Sequence, residues 1–184
     1  MDIEDSEILA KFASEASRNE AFNLLLTKYQ QKIYWHIRRL VINHDDADDL
    51  VQDVFIKVWK NLANFRNDSQ LYTWLYRIAS NESITFLNRK KLKNNISLDL
   101  EQDGLNLSET LVDTSYFDGD KAQMKLQKAL LTLPDKQRLV FNMKYFDDLK
   151  YREISEILGT SEGALKASFH LAVKKIEQYL LNTD

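Results

Sequence analysis

The sequence predicts an all-α protein of two small helical domains joined by an acidic linker, on three observations. One proline and four glycines are the only breakers in 184 residues, and Leu, Lys, Glu, Ala and Gln are abundant. Apolar residues recur at three- and four-residue intervals over most of the chain. A single stretch, residues 94–120, loses that period and turns acidic.

The first helix is expected through Phe22, Leu26, Tyr29, Ile33, Ile37, Leu40 and Val41, and it ends in the polar segment Asn43–Asp46. Leu50, Val51, Val54, Phe55, Val58, Trp59 and Leu62 then form a wide apolar stripe on a second helix. NFRNDS, residues 64–69, has the side chains of a turn. A third helix, about Leu71 to Lys91, is aromatic at its start and ends in Arg89, Lys90 and Lys91, which suit the negative end of the helix dipole. Residues 94–120 read as a linker, with some helical character at 108–112. Periodicity returns at Met124, Leu126, Leu130 and Leu131, and Pro134 opens a further helix containing Leu139, Val140, Phe141, Met143 and Phe146.

Composition removes several classes of function. The chain has no cysteine, so disulfide scaffolds, thiolate zinc sites and cysteine nucleophiles are excluded. The acidic N-terminus lacks the pattern of a secretory signal, and no apolar run approaches the roughly 20 residues that span a bilayer. A cytoplasmic protein with no direct membrane insertion is therefore expected. The net charge of −3 is unevenly spread. Residues 1–92 balance 13 bases against 13 acids, residues 93–120 carry −6, and residues 121–184 carry +3. A basic C-terminal piece is what phosphate contact needs.

Lys150 to Leu180 carries the strongest local pattern. Ile154, Ile157 and Leu158 make a short amphipathic helix that stops at Gly159, and Thr160 and Ser161 offer an N-cap for the next. Glu162 falls where that helix's positive end favours it. The second helix buries Leu165, Phe169, Ala172 and Ile176 and shows Gly163, Lys166, Ala167, His170 and Lys174. Two short helices about a Gly-containing turn place the second in a DNA major groove. The same pattern also describes an ordinary helical hairpin with a solvated lysine face.

In the N-terminal half, Asp45, Asp46, Ala47, Asp48 and Asp49 precede Asp53. A calcium loop beginning at Asp46 needs glycine at its sixth position, where Val51 stands, so no metal is expected. Asp49, Gln52 and Asp53 instead line one polar helix face suited to docking. Downstream, Phe65, Tyr72, Trp74, Tyr76 and Phe86 interleave with Arg66, Arg77, Arg89, Lys90 and Lys91. Rings that stack on bases and cations that hold phosphates suit single-stranded DNA, although several of these rings must serve the core. Three scattered histidines and the lack of any Gly-rich phosphate cradle leave no catalytic set and no cofactor site.

DADDLVQDVFIKVWKNLANFRNDSQLYTWLYRIASNESITFL resembles region two of the extracytoplasmic-function sigma factors of bacterial RNA polymerase, and LPDKQRLVFNMKYFDDLKYREISEILGTSEGALKASFHLAVKKI resembles their region four. The resemblance covers nearly all the chain except the linker, in the right order, and region three is missing as in that subfamily. It implies an alternative sigma factor, a non-catalytic subunit, with a region two domain at 1–93, a linker at 94–120 and a region four domain at 121–184. Asp49, Gln52 and Asp53 match the face that docks on the β′ clamp helices of core RNA polymerase. Lys57, Phe65, Tyr76, Arg77 and Asn81 match positions around the pocket for a flipped base of the minus-ten element, and Trp74 the aromatic at the edge of melted DNA. Region four is implied to bind the β flap and to read the minus-thirty-five element of promoter DNA. Ser161, Glu162, Gly163, Lys166, Ser168, His170 and Lys174 are its candidate contacts. An anti-sigma factor, which can be membrane-bound, is an implied partner. Ala167, Ser168 and Leu171 depart from the pattern, since many relatives carry basic or polar readers there. The alternative is a stand-alone helix-turn-helix regulator.

Overall fold

Asn43 shows how local chemistry sets the elements: its side-chain oxygen accepts the Asp46 backbone N–H at 2.9 Å and starts a new helix two residues after the last one ends. In the computed structural model, which describes residues 3–98 and 121–182, the described residues are helical apart from turns. The helices are α1 (Asp5–Ala13), α2 (Arg18–Val41), α3 (His44–Asn61), α4 (Leu71–Leu98), α5 (Lys121–Leu131), α6 (Asp135–Tyr145), α7 (Tyr151–Leu158) and α8 (Glu162–Leu181). The chain divides into two units, residues 1–83 and 84–184.

In the first unit, α2 buries Ala21, Leu25, Tyr29, Ile33, Ile37 and Leu40 at the four- and three-residue steps of one helical stripe. Leu50, Val51, Val54, Phe55 and Val58 of α3 and Leu71, Leu75 and Ala79 of α4 complete the core. α1 was not legible in the sequence. It is held by Ile8 and Phe12, both buried, and by Asp5, whose carboxylate accepts from the Tyr29 hydroxyl at 2.7 Å and pairs with Lys28 at 3.0 Å. Burial of two such side chains contributes about 1.5–3 kcal/mol each. Phe12 meets the Trp59 ring edge-on at 5.4 Å, and Phe22 meets it at 5.0 Å. Trp59 therefore packs along one side while remaining 37% exposed.

The sequence placed the end of the third helix near Lys91, yet α4 continues to Leu98 because Leu92–Leu98 contains neither Pro nor Gly to stop it. It thus occupies the first five positions of the expected linker. The rest of that linker, including the helical character at 108–112, lies outside the described residues.

In the second unit, Ala129, Leu130 and Leu133 meet Phe141 of α6 and Ala172 and Ile176 of α8, with Phe146 and Phe169 against the same cluster. The Phe141 and Phe169 rings stack at 5.5 Å and 12°. Met124, expected in the periodic set, is exposed, and Pro134 is the N-cap of α6. Buried Arg138 reaches Asp135 at 3.2 Å. Burial pushes its guanidinium pKa down, and the charge of Asp135 opposes that shift.

Candidate nucleic-acid and protein interfaces

Once α3 has turned its apolar stripe inward, Asp49, Gln52 and Asp53 are left exposed on the other side. Ile56, one turn further along the same face, is 51% exposed. The sequence reading did not single it out, although an apolar residue seven positions after Asp49 was visible there. The face is an apolar spot with acidic and amide groups beside it. That composition matches a protein contact, where an apolar centre sits within a polar rim.

The residues between Lys57 and Asn81 are brought together in two groups. Lys57 of α3 pairs with Glu82 of α4, beside Asn81 in sequence. Arg77 and Asn81, one turn apart on α4, are both exposed. Phe65, half-buried after the 3₁₀ turn Leu62–Asn64, packs on Trp74 with ring centres 5.3 Å apart. Asn67 takes the left-handed conformation (φ 56°), which an Asn tolerates, and so reverses the chain toward α4. Tyr76 sits behind this surface at 7% exposure, its ring 4.8 Å from that of His36.

His36 and Glu82 were missed. His36 is fully buried, and its Nε2 lies 3.0 Å from Ser80 Oγ, which itself donates to the Tyr76 carbonyl at 2.7 Å. With that proton committed, Ser80 accepts from an Nε2–H of His36, so the histidine ties α2 to the backbone carrying Tyr76, Arg77 and Asn81. Glu82 carried no signal because its partner lies 25 positions away in sequence.

In the second unit, Gly159 takes φ 63° and ψ 30° and donates its N–H to Ser155 at 2.9 Å, ending α7 in the left-handed cap that glycine permits. Ser161 caps α8, its Oγ accepting from the Ala164 N–H at 3.3 Å. With Leu165, Ala172 and Ile176 buried, Gly163, Lys166, Ala167, His170 and Lys174 face outward together with Ser161 and Glu162. Ser168 is half-buried, as is Phe169, expected in the core and packed against it. Lys166 lies 3.9 Å from Glu162 and 5.6 Å from the Tyr151 ring centre. A Cβ added at Gly163 would meet nothing within 4 Å, so packing does not require glycine there.

Among the described residues, no three His, Asp or Glu side chains gather as a metal site, and no helix is long and apolar enough to cross a membrane.

Residues 25–92 match the model for sigma-70 region 2, and residues 123–176 match that for sigma-70 region 4. The ECF RNA polymerase sigma factor SigW of Bacillus subtilis is 30% identical over 167 residues, covering 88% of this chain and 89% of that one. The ECF RNA polymerase sigma-E factor of Escherichia coli K12 is 30% identical over 164 residues, covering 86% and 85%. Two solved structures share the fold at a TM-score of 0.69 and 22% identity. The sigma factor RpoE from Bartonella quintana, crystallised with the anti-sigma factor NepR, matches over 89% of this chain and 98% of its own. CnrH in complex with the cytosolic domain of CnrY matches over 98% and 99%. With both regions in order and 30% identity along almost the whole length, the chain belongs to the ECF RNA polymerase sigma factors and is an alternative sigma factor of transcription initiation.

Proposed function

We propose that the two units divide promoter recognition between them. The α3 face of Asp49, Gln52, Asp53 and Ile56 docks on the β′ clamp helices of core RNA polymerase. The surface around Lys57, Phe65, Trp74, Arg77 and Asn81 captures a base flipped from the minus-ten element, with Tyr76 as its inner wall. The helix-turn-helix binds the minus-thirty-five element as duplex, and its unit meets the β flap. Residues 1–93 and 121–184 are the functional domains, and 94–120 joins them.

The chain makes no covalent bond in this scheme, and polymerase supplies the catalysis. Unstacking a base costs a few kcal/mol, offset by ring and amide contacts that exist only for the open strand. The protein works in the cytoplasm, where core polymerase is. An anti-sigma factor is a fitting partner, since relatives of the same fold are found with NepR and with the cytosolic domain of CnrY.

The observation that carries this reading is that one unit exposes Asp49, Gln52, Asp53 and Ile56 as well as Lys57, Arg77 and Asn81, with Phe65 and Trp74 half-buried. A stand-alone regulator needs no such face. Run-off transcription with purified core polymerase on a promoter library tests it. Specific transcripts that require the chain are expected. Binding of a palindromic duplex by the chain alone, with no transcripts from any template, would overturn it.

A further inference from the structure

The outward face of α8 is less a cationic surface than an apolar strip with a cationic border. Ala164, Ala167 and Leu171 are exposed at steps of three and four residues, and Leu171 is 49% exposed. His170 and Lys174 edge the strip on one side, and Lys175, held 3.2 Å from Gln137, on the other. No arginine occurs anywhere on α8. The first lysine of the helix is drawn toward Glu162 and the Tyr151 ring. Arginine, whose planar fork is best fitted to read guanine, is therefore lacking, while apolar surface is held open to water where base edges would lie.

Of the four bases, only thymine shows a methyl group in the major groove, and small apolar side chains are what contact it. Ala164 to Leu171 spans seven residues, about 10 Å along a helix, or about three base-pair steps. The cationic border fits the phosphates on either side of such a groove, which favours duplex DNA over a protein as the occupant. We propose that Ala164, Ala167 and Leu171 read the C5-methyl groups of two or three neighbouring thymines, making the upstream element of this sigma factor thymine-rich. The proposal rests on the duplex-binding reading of the helix-turn-helix and names its base preference.

The test uses holoenzyme formed from the full chain and core polymerase. Duplexes are first selected from a library randomised over the upstream element. Each thymine of the winning element is then replaced singly by deoxyuridine, which removes only the methyl. Affinity should fall about three- to fivefold at each contacted position, as expected for losing one buried methyl. Leu171→Ala, at an exposed site that leaves the fold intact, should abolish the uracil effect at one position and keep it at the others. Lys174→Ala should weaken all duplexes alike, with the thymine-to-uracil ratio unchanged.

Neutral uracil at every position, or a uracil effect indifferent to Leu171→Ala, would overturn methyl readout while duplex binding stood. Selection of no upstream element, with Lys174→Ala also silent, would overturn the duplex-binding reading and this proposal with it.

Discussion

Ile42 has φ 72° and ψ −44°, and the Asn43 N–H donates to the Val41 carbonyl at 2.9 Å. This is a γ-turn with positive φ at its centre, a strained conformation that is especially costly for a β-branched residue. The strain sits at the joint that aims α3. Ile42→Gly should therefore stabilise the protein by about 1 kcal/mol, the relief of strain exceeding the entropy that glycine adds to the unfolded chain. Urea melts of the wild type, Ile42→Gly and Ile42→Val should show the gain for glycine alone. Glu82 is the second residue whose part emerges only from the fold. An exposed ion pair contributes about 0–1 kcal/mol, so its hold on Lys57 can be broken by a DNA phosphate. Glu82→Gln should raise affinity for a single-stranded minus-ten oligonucleotide, because Lys57 no longer has to leave the pair. Lys57→Ala should lower that affinity and flatten its salt dependence by about 0.7 of a unit, the value for one lost phosphate contact. Equal salt slopes in anisotropy titrations of wild type and Lys57→Ala would remove Lys57 from the proposed DNA surface. Neither residue was legible in sequence. A positive φ in an isoleucine and a pairing across 25 residues are products of tertiary packing, whereas Gly159 and Ser161 announced their caps through local chemistry alone.

Among the elements, those carrying a long apolar period could be read directly, and those that depend on a neighbour could not. α2 and α3 show six or more inward residues each, enough to set their faces. α1 buries only two residues over nine, and its place is set by Asp5 reaching Tyr29 and Lys28 on α2. No periodicity argument detects so short a stripe. The α3 face proposed for docking shows both outcomes at once, because its exposed acids were legible and exposed Ile56 beside them was overlooked. If Ile56 lies at the middle of the polymerase contact, Ile56→Ala should weaken core binding about tenfold, in the range of a truncated interface centre. Asp49→Lys with Asp53→Lys should slow association and lose most of its effect at high salt, since rim charges act chiefly through encounter rate. Melting temperatures should barely move for either variant, because exposed substitutions shift stability by about ±0.5 kcal/mol. Biolayer interferometry against core polymerase, run at two salt concentrations, distinguishes these effects. An unchanged dissociation rate for Ile56→Ala would displace the apolar centre from the interface.

Over the whole molecule, the proposed division of DNA chemistry between two units requires that they fail in different ways. On that proposal Asn81 and Phe65 belong to the unit whose contacts require an unstacked base, and Lys166 to the unit that meets intact duplex. Asn81→Ala or Phe65→Ala should cost about 1–3 kcal/mol per lost base contact, roughly ten- to hundred-fold in open complex. Closed-complex affinity should change little, because phosphate contacts to the duplex need no flipped base. Lys166 is engaged by Glu162 in the free protein, so Lys166→Ala removes a cation that must first leave that pair. It should weaken initial duplex capture and flatten the salt dependence by about one unit. A pre-melted bubble template then separates two defects within the first unit. It restores a variant that cannot separate the strands, and it leaves impaired a variant that cannot hold the exposed base. Asn81 is exposed and points away from the core, so its alanine variant should fall in the second group. Phe65 also packs on Trp74, and its variant should show both defects and be rescued in part. Permanganate reactivity of unpaired thymines, read beside gel-shift affinity on duplex and bubble templates, measures each step. Intact opening by both first-unit variants, with Lys166→Ala inactive on every template, would remove base capture from the first unit and assign promoter opening elsewhere.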